Sequence, residues 1–399
     1  MNEYEIVRLP QRIFGSKTSS RLAGYLLNCD IKKCLIVSGS RMIHHPITQH
    51  IIEQLKEFEI ACDQYDQVEA EPSDTTCLHL GKLIRDGKYD CVVGIGGGSP
   101  MDAAKAGALI AGIPEEINDL HEYGKSGARM KESWHRPCML VLMPTTAGTG
   151  AETTATSVIT STQHHLKFSF GNRNAAADLC IIDPDFTLGM PVLPTVYGAV
   201  DALAHTIENL IGTAKNDYTT TILLECLERI WKWLPIAIND PYNQEAREQL
   251  AWSAHNALSN GGIPNGHAVG HAIGSLYHLT HGHACIIVLP TAIRHFAESS
   301  QEAIQSIAQR LKLPVTGDAL IDANCVADAI LVWYKTLGLK PLRTSMIEKG
   351  YEDDEQTFIK KMIPIILDDF KSKHWLPPIH TGDYSLKIAK VCKMIYEEQ

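Results

Sequence analysis

The sequence predicts an α/β nucleotide-binding domain over residues 1–189 followed by an all-α domain over residues 190–399. Three observations carry this. Short apolar strands alternate with amphipathic helical stretches in the first half, the mark of a parallel sheet covered on both faces. Two of those strands run straight into glycine-rich loops. Beyond the proline-flanked GMPVLP at 189–194, the apolar spacing becomes helical and few β-branched runs remain.

In order, KKCLIVSGS (32–40) reads as a strand ending in a Ser/Gly turn, residues 46–59 as a helix and residues 60–68 as a strand. TTCLHLGKLIRDGK (75–88) has helical period, YDCVVGIGGGSP (89–100) is a strand meeting glycines, and PCMLVLMPTTAGTG (137–150) repeats that plan. The later segments VYGAVDALAHTIENLIG, YTTTILLECLERIWKWL and REQLAWSAHNALSN are helical. At 399 residues, 45% hydrophobic and 21% charged, the chain is long enough for two cores.

Composition excludes several functions. A formal charge of -10 without a Lys/Arg cluster argues against nucleic acid or an anionic membrane as partner. The N-terminal MNEYEIVRLPQRIFG lacks the basic and apolar regions of a signal peptide. Apolar runs such as CMLVLMP fall far short of the roughly 20 residues that span a bilayer. Eleven scattered cysteines without a CxxC pair suggest reduced thiols in a cytoplasmic protein.

In VVGIGGGSPMDAAK a buried strand reaches Gly96, Gly97, Gly98 and Ser99, and a helix begins near Pro100. Backbone N–H groups at such a helix start can hold phosphate oxygens, and glycine lets the backbone come close. The pattern is GxGxxS rather than the full dinucleotide fingerprint, so a plain tight turn is the competing reading. A second loop, MPTTAGTGAE, adds the hydroxyls of Thr145, Thr146 and Thr149. Two such loops at the carboxyl ends of parallel strands make a ligand crevice.

Five of the 18 histidines crowd into GIPNGHAVGHAIGSLYHLTHGHACIIVLP, residues 262–290, which reads either as a buried helix with helix-end caps or as a metal site. Asp201 and His205 are four residues apart, so on one helix they share a face at about 5–6 Å. His267 and His271 have the same spacing, and periodicity alone would pair them.

GIGGGSPMD, PTTAGTGAE, DALAHTIE and the histidine block, in that order, resemble the iron-containing (group III) alcohol dehydrogenase family over nearly the whole chain. The resemblance implies the family's two-domain fold, shared with dehydroquinate synthase, with a divalent metal and a nicotinamide in the cleft. It implies metal ligands Asp201, His205, His267 and His281, with Fe²⁺ the family's ion and Zn²⁺ or Mn²⁺ compatible with the same donors. In one continuous helix His267 and His281 would stand ~21 Å apart, so the chain must turn back between Gly274 and Thr280. His278 and His283 are read as helix-end or packing residues.

The implied reaction is hydride transfer between nicotinamide and a small alcohol or aldehyde, with His271 relaying the proton. Gly96, Gly97, Gly98 and Ser99 would hold the pyrophosphate. Asp102, Thr145, Thr146, Thr149 and Lys167 match positions that contact nicotinamide or ribose. Where NAD-preferring members carry an aspartate this chain has Gly39, beside Ser40 and Arg41, which favours NADP. His255 and Asn256 stand where small or apolar residues are usual, and suggest a polar or anionic aldehyde such as a phosphonate or sulfonate. Pro264 and WLPPIHTGDYS (375–385) also depart from the family. The family's folds allow a homodimer. The rival readings are a dehydroquinate synthase-like lyase and a nucleotide-binding scaffold without turnover.

Overall fold

A computed structural model describes residues 10–114, 117, 119–126, 130–212, 216–258, 266–373 and 384–398. The chain forms two compact units: Val7–Gly189 with Tyr242–His255, and a second built on Met190–Pro241 and Asn256–Gln399.

The first unit runs β1 (Gln11–Phe14), α1 (Leu22–Asn28), β2 (Lys33–Ser38), α2 (Pro46–Glu57), β3 (Ala61–Tyr65), α3 (Asp74–Gly87), β4 (Cys91–Gly96) and α4 (Gly98–Ala111). It continues with α5 (Leu120–Ser126), β5 (Met139–Pro144), β6 (Ser157–Ser161), β7 (Leu166–Phe170) and β8 (Leu179–Ile182). Six strands make one parallel sheet in the order β1-β8-β5-β4-β2-β3.

Its strands are apolar throughout because both faces are covered. Leu35 and Val37, Val92, Leu140 and Leu142, and Cys180 and Ile182 pack into one core with residues of α3 and α4. The residues between them, Cys34 and Ile36, Cys91, Val93 and Ile95, Val141 and Met143, and Leu179 and Ile181, join a second core with α1 and α2. Alternate side chains leave a strand on opposite faces, so an unbroken apolar run serves two layers.

The alternation of strands and helices missed one feature. After β5 the chain builds no covering helix but an antiparallel hairpin, β6–β7, with Thr160 paired to Lys167. Lys105 of α4 explains how this insertion is held. Its side chain is fully buried, and its Nζ donates to Ala151 O (2.7 Å), Thr154 Oγ1 (3.0 Å) and Thr156 O.

The second unit is helical: α6 (Val192–Ile211), α7 (Asp217–Asn239), then, after α8 (Gln244–Ala257), α9 (His267–Tyr277) and α10 (His281–His295). It closes with α11 (Gln301–Arg310), α12 (Ala319–Thr336), α13 (Leu342–Glu348), α14 (Glu355–Lys373) and α15 (Tyr384–Glu397). α10 is the hub, packed on α6, α9, α12 and α15 and buried from Gly282 to Ile293. No described helix is long and apolar enough to cross a membrane.

Candidate functional site

Three helices meet at one group of donors in the helical unit. Asp201 and His205 occupy successive turns of α6, both buried. His267 is the first residue of α9 and His281 the first of α10. Between them α9 ends on His278 in the left-handed conformation (φ 52°), and Thr280 stands at the N-terminal boundary of α10 without a side-chain capping bond. That turn supplies the reversal which the histidine spacing demanded. His283 is a packing residue, its Nε2 2.8 Å from Lys340 O.

Two glycines allow the approach. A Cβ on Gly282 would lie 2.0 Å from Tyr197 O, so the first turn of α10 rests directly on the α6 backbone. A Cβ on Gly270 would lie 2.9 Å from Cys285 Sγ, where α10 crosses α9. In consequence Asp201 Oδ1 stands 3.4 Å from His267 Nε2 and 3.3 Å from His281 Nε2. Donors bonded at about 2.0–2.2 Å to a tetrahedral divalent ion lie about 3.3–3.6 Å from one another. The spacings match, and the carboxylate and imidazoles suit such an ion.

His205 stacks on His267 with ring centroids 4.2 Å apart, but it is not in the group of ligand atoms, those of Asp201, His267, His281 and Cys285, that lie within 4.8 Å of one another. Its Nδ1 is buried and has no hydrogen-bond partner among the described residues. Burial, outweighing Asp201, drives the imidazole down to about 3, so it is neutral and offers a lone pair at physiological pH. Burial opposes the Asp201 carboxylate, but His205, His281 and the hydrogen bond with His267 hold it well below the usual range. Burial likewise opposes the cations of His281 and His267. Cys285 and Asp201 nonetheless push His281 up to about 10, and Cys285 and Glu208 raise His267. Metal ligation releases such protons.

Sequence reasoning missed two residues here. Glu208 sits seven residues after Asp201 on the same face of α6. It accepts hydrogen bonds from the backbone N–H of Gly266 (2.7 Å) and of His267 (3.2 Å), and its Oε1 lies 2.9 Å from His267 Nδ1. Cys285 lies four residues after His281, and its ligand atom falls within 4.8 Å of those of Asp201, His267 and His281. Both follow helical spacing from a named ligand, the signal that could have found them. His271, the expected relay, has its ring 5.0 Å from His281 and 6.2 Å from His267.

In the α/β unit the chain crosses from β2 to β3 on one side and from β4 to β5 on the other. The reversal lies between β2 and β4, where open α/β sheets bind ligands. Gly39, Ser40 and Arg41 follow β2, and Gly97 to Ser99 follow β4. Helix α4 starts at Gly98, two residues before Pro100, and no side chain caps it, which leaves first-turn N–H groups for an anion. The two glycine-rich loops touch: Thr145 N donates to Gly96 O (2.9 Å), Thr146 faces Gly97 and Thr149 faces Gly98.

Three expected residues already have protein partners. Asp102 is buried, accepts from Val158 N (3.0 Å) and has Lys105 Nζ 2.9 Å from its Oδ1, a charge contact without hydrogen-bond alignment. Burial pushes its carboxyl up against the pull of Lys105. Lys167 Nζ pairs with Glu71 Oε1 at 2.6 Å, and Glu71 N donates to Ser99 Oγ (3.0 Å). His255 Nδ1 lies 3.0 Å from Glu152 Oε1, both buried. Asn256 is half-buried on the last turn of α8. Pro264 and residues 375–383 lie outside the described residues.

The family model described as iron-containing alcohol dehydrogenase matches residues 10–184, and that of the family's C-terminal region matches residues 195–358. The NADPH-dependent butanol dehydrogenase of Clostridium saccharobutylicum is 30% identical over 79% of this chain and 80% of its own. The 1,3-propanediol dehydrogenase of Klebsiella pneumoniae is 31% identical over 73% and 75%. The crystal structure of a 1,3-propanediol oxidoreductase superposes with a TM-score of 0.84 at 25% identity, covering 99% of this chain and all of that one. This chain belongs to the iron-containing alcohol dehydrogenase family, as an NAD(P)-linked oxidoreductase of alcohols that uses a divalent metal.

Proposed function

We propose that the chain reduces a small polar aldehyde with NADPH, or oxidises the matching alcohol, in the cytoplasm, on Fe²⁺ held by Asp201, His205, His267 and His281. The observation that carries this reading is Asp201 Oδ1 standing within 3.4 Å of Nε2 on both His267 and His281. The bound groups supply Lewis-acid polarisation of a carbonyl and a hydride. The chain's own residues do the rest. Glu208 holds His267 through Nδ1, which would leave Nε2 free to bind the ion. Gly96 to Ser99 hold the pyrophosphate, Thr145, Thr146 and Thr149 line the nicotinamide side, and His271 delivers the proton that converts the reduced carbonyl oxygen into the product hydroxyl.

The substrate's polar character is read from His255. Its Nε2 is buried without a partner among the described residues, and buried polar atoms rarely stay unmatched. Glu152 on Nδ1 places a carboxylate beside the ring, which disfavours a sulfonate or phosphonate and favours a hydroxyl. Two relatives named for 1,3-propanediol fit such a substrate.

The test is nicotinamide absorbance under anaerobic, iron-loaded conditions, with NADH and NADPH and a panel of hydroxylated, aliphatic and anionic aldehydes. Turnover is expected to be fastest with NADPH and a hydroxyaldehyde, and to vanish in Asp201→Asn. Full activity in that variant would reject the metal assignment, and a preference for the anionic aldehydes would reject the substrate assignment.

A further inference from the structure

We propose that Asp119, His121 and His164 form a second divalent-cation site, within the α/β unit and independent of the ligands on α6, α9 and α10. Asp119 immediately precedes α5, His121 is the second residue of that helix, and His164 lies in the turn between β6 and β7. One ligand atom from each residue falls within 4.8 Å of the other two. His164 Nε2 stands 3.1 Å from Asp119 Oδ2, and the His121 and His164 rings are 4.5 Å apart between centroids. Octahedral bonds of about 2.1 Å set neighbouring donors about 3.0 Å apart and two neighbouring imidazole centroids about 4.6 Å apart. A tetrahedral ion would spread the same two rings to about 5.3 Å. The spacings found fit three donors on one face of a six-coordinate ion.

Packing holds each donor in place. A Cβ on Gly124 would lie 2.5 Å from Ser169 O, so α5 rests directly on the backbone of β7. His121, three residues earlier on the same face, is thereby carried against the hairpin, where its ring meets the edge of Phe168 at 5.3 Å. Asp119 Oδ1 accepts from His121 N (2.9 Å), which turns Oδ2 toward His164. His164 N donates to Ser161 Oγ (3.2 Å) and so fixes the hairpin turn. The competing reading is a surface ion pair between Asp119 and His164, but that pair gives no reason to bury a second imidazole, His121, beside it. Two imidazoles with one carboxylate suit Ni²⁺, Co²⁺ or Fe²⁺, with water completing the shell, rather than Mg²⁺ or Ca²⁺, which take oxygen donors. A cation bound here would pin the β6–β7 turn to α5.

Equilibrium dialysis of the metal-free full chain against Ni²⁺, with the bound metal counted, tests this. Wild-type protein is expected to hold two equivalents and Asp201→Asn one. His164→Ala and the isosteric Asp119→Asn, both checked for folding by circular dichroism, should each lose one equivalent. The control His50→Ala removes an exposed histidine 3.9 Å from Glu53 and should keep both. Undiminished binding in His164→Ala and Asp119→Asn overturns the site, as does a wild-type chain whose single equivalent disappears in Asp201→Asn. A single equivalent that is lost in His164→Ala and kept in Asp201→Asn upholds this site and counts against the catalytic metal, so the two readings fail separately. A wild-type chain that binds no Ni²⁺ overturns both.

Discussion

Glu208 and His267 face each other across the helical unit, Oε1 to Nδ1 at 2.9 Å, both buried. The carboxylate also anchors the start of α9 through two backbone N–H groups. It therefore sets the position of the imidazole, and with a metal bound it would fix the tautomer in which Nδ1–H donates to Glu208 and Nε2 offers its lone pair. Outer partners of this type are worth about 10–100-fold in metal affinity. Glu208→Gln is expected to lose an amount in that range in a chelator competition while the protein stays folded. An unchanged affinity would show that Glu208 only caps the helix.

Gly282 is the contact on which the ligand geometry turns, because its missing Cβ would fall 2.0 Å from Tyr197 O. In Gly282→Ala the first turn of α10 must lift off α6, and His281 moves away from Asp201. Overpacking of this kind costs about 1–3 kcal/mol. The variant should melt earlier and bind metal more weakly than its lost stability accounts for. Wild-type metal affinity would mean that the ligands do not depend on this approach.

Cofactor preference can be shifted at Gly39. A Cβ there meets only Val68 O, at 3.4 Å, so an aspartate fits without rebuilding the loop. A carboxylate beside a 2′-phosphate is a like-charge contact costing several kcal/mol. Gly39→Asp should lower the ratio of kcat/KM for NADPH over NADH by at least about tenfold, or about 1.4 kcal/mol. A ratio that does not move would place the ribose elsewhere.

Lys105 makes a structural prediction in the α/β unit. It is fully buried and serves two carbonyls, one hydroxyl and Asp102. Lys105→Met leaves the buried Asp102 carboxyl without its cation, and breaking such a pair costs on the order of 3–5 kcal/mol. Thermal and denaturant unfolding should report a loss of that size, with the residue 151–156 loop the first to become protease-sensitive. A loss below about 1 kcal/mol, the range of exposed pairs, would mean that water replaces the ammonium.

His255 separates the substrate readings. Its ring is held by Glu152 at 3.0 Å. His255→Ala should raise KM for a hydroxyaldehyde and leave that for a plain aliphatic aldehyde near the wild-type value. Equal effects on both would reduce His255 to a packing residue.

What the sequence determines by itself is local. Apolar strand runs, the uncapped glycine start of α4 and the Asp201–His205 spacing depend on residues within a turn or two of one another, where backbone period alone sets the geometry. The structure decided what depends on distant segments meeting. Periodicity would have paired His267 with His271. The left-handed turn at His278 and the bare backbones of Gly270 and Gly282 bring His281 to Asp201 instead. The hold of Glu208 on His267 and the Lys105 staple share that origin, since their partners are 46 to 59 residues away along the chain and are selected by packing. A one-dimensional pattern carries the period of each element but not the few tenths of an ångström at which two helices are allowed to touch.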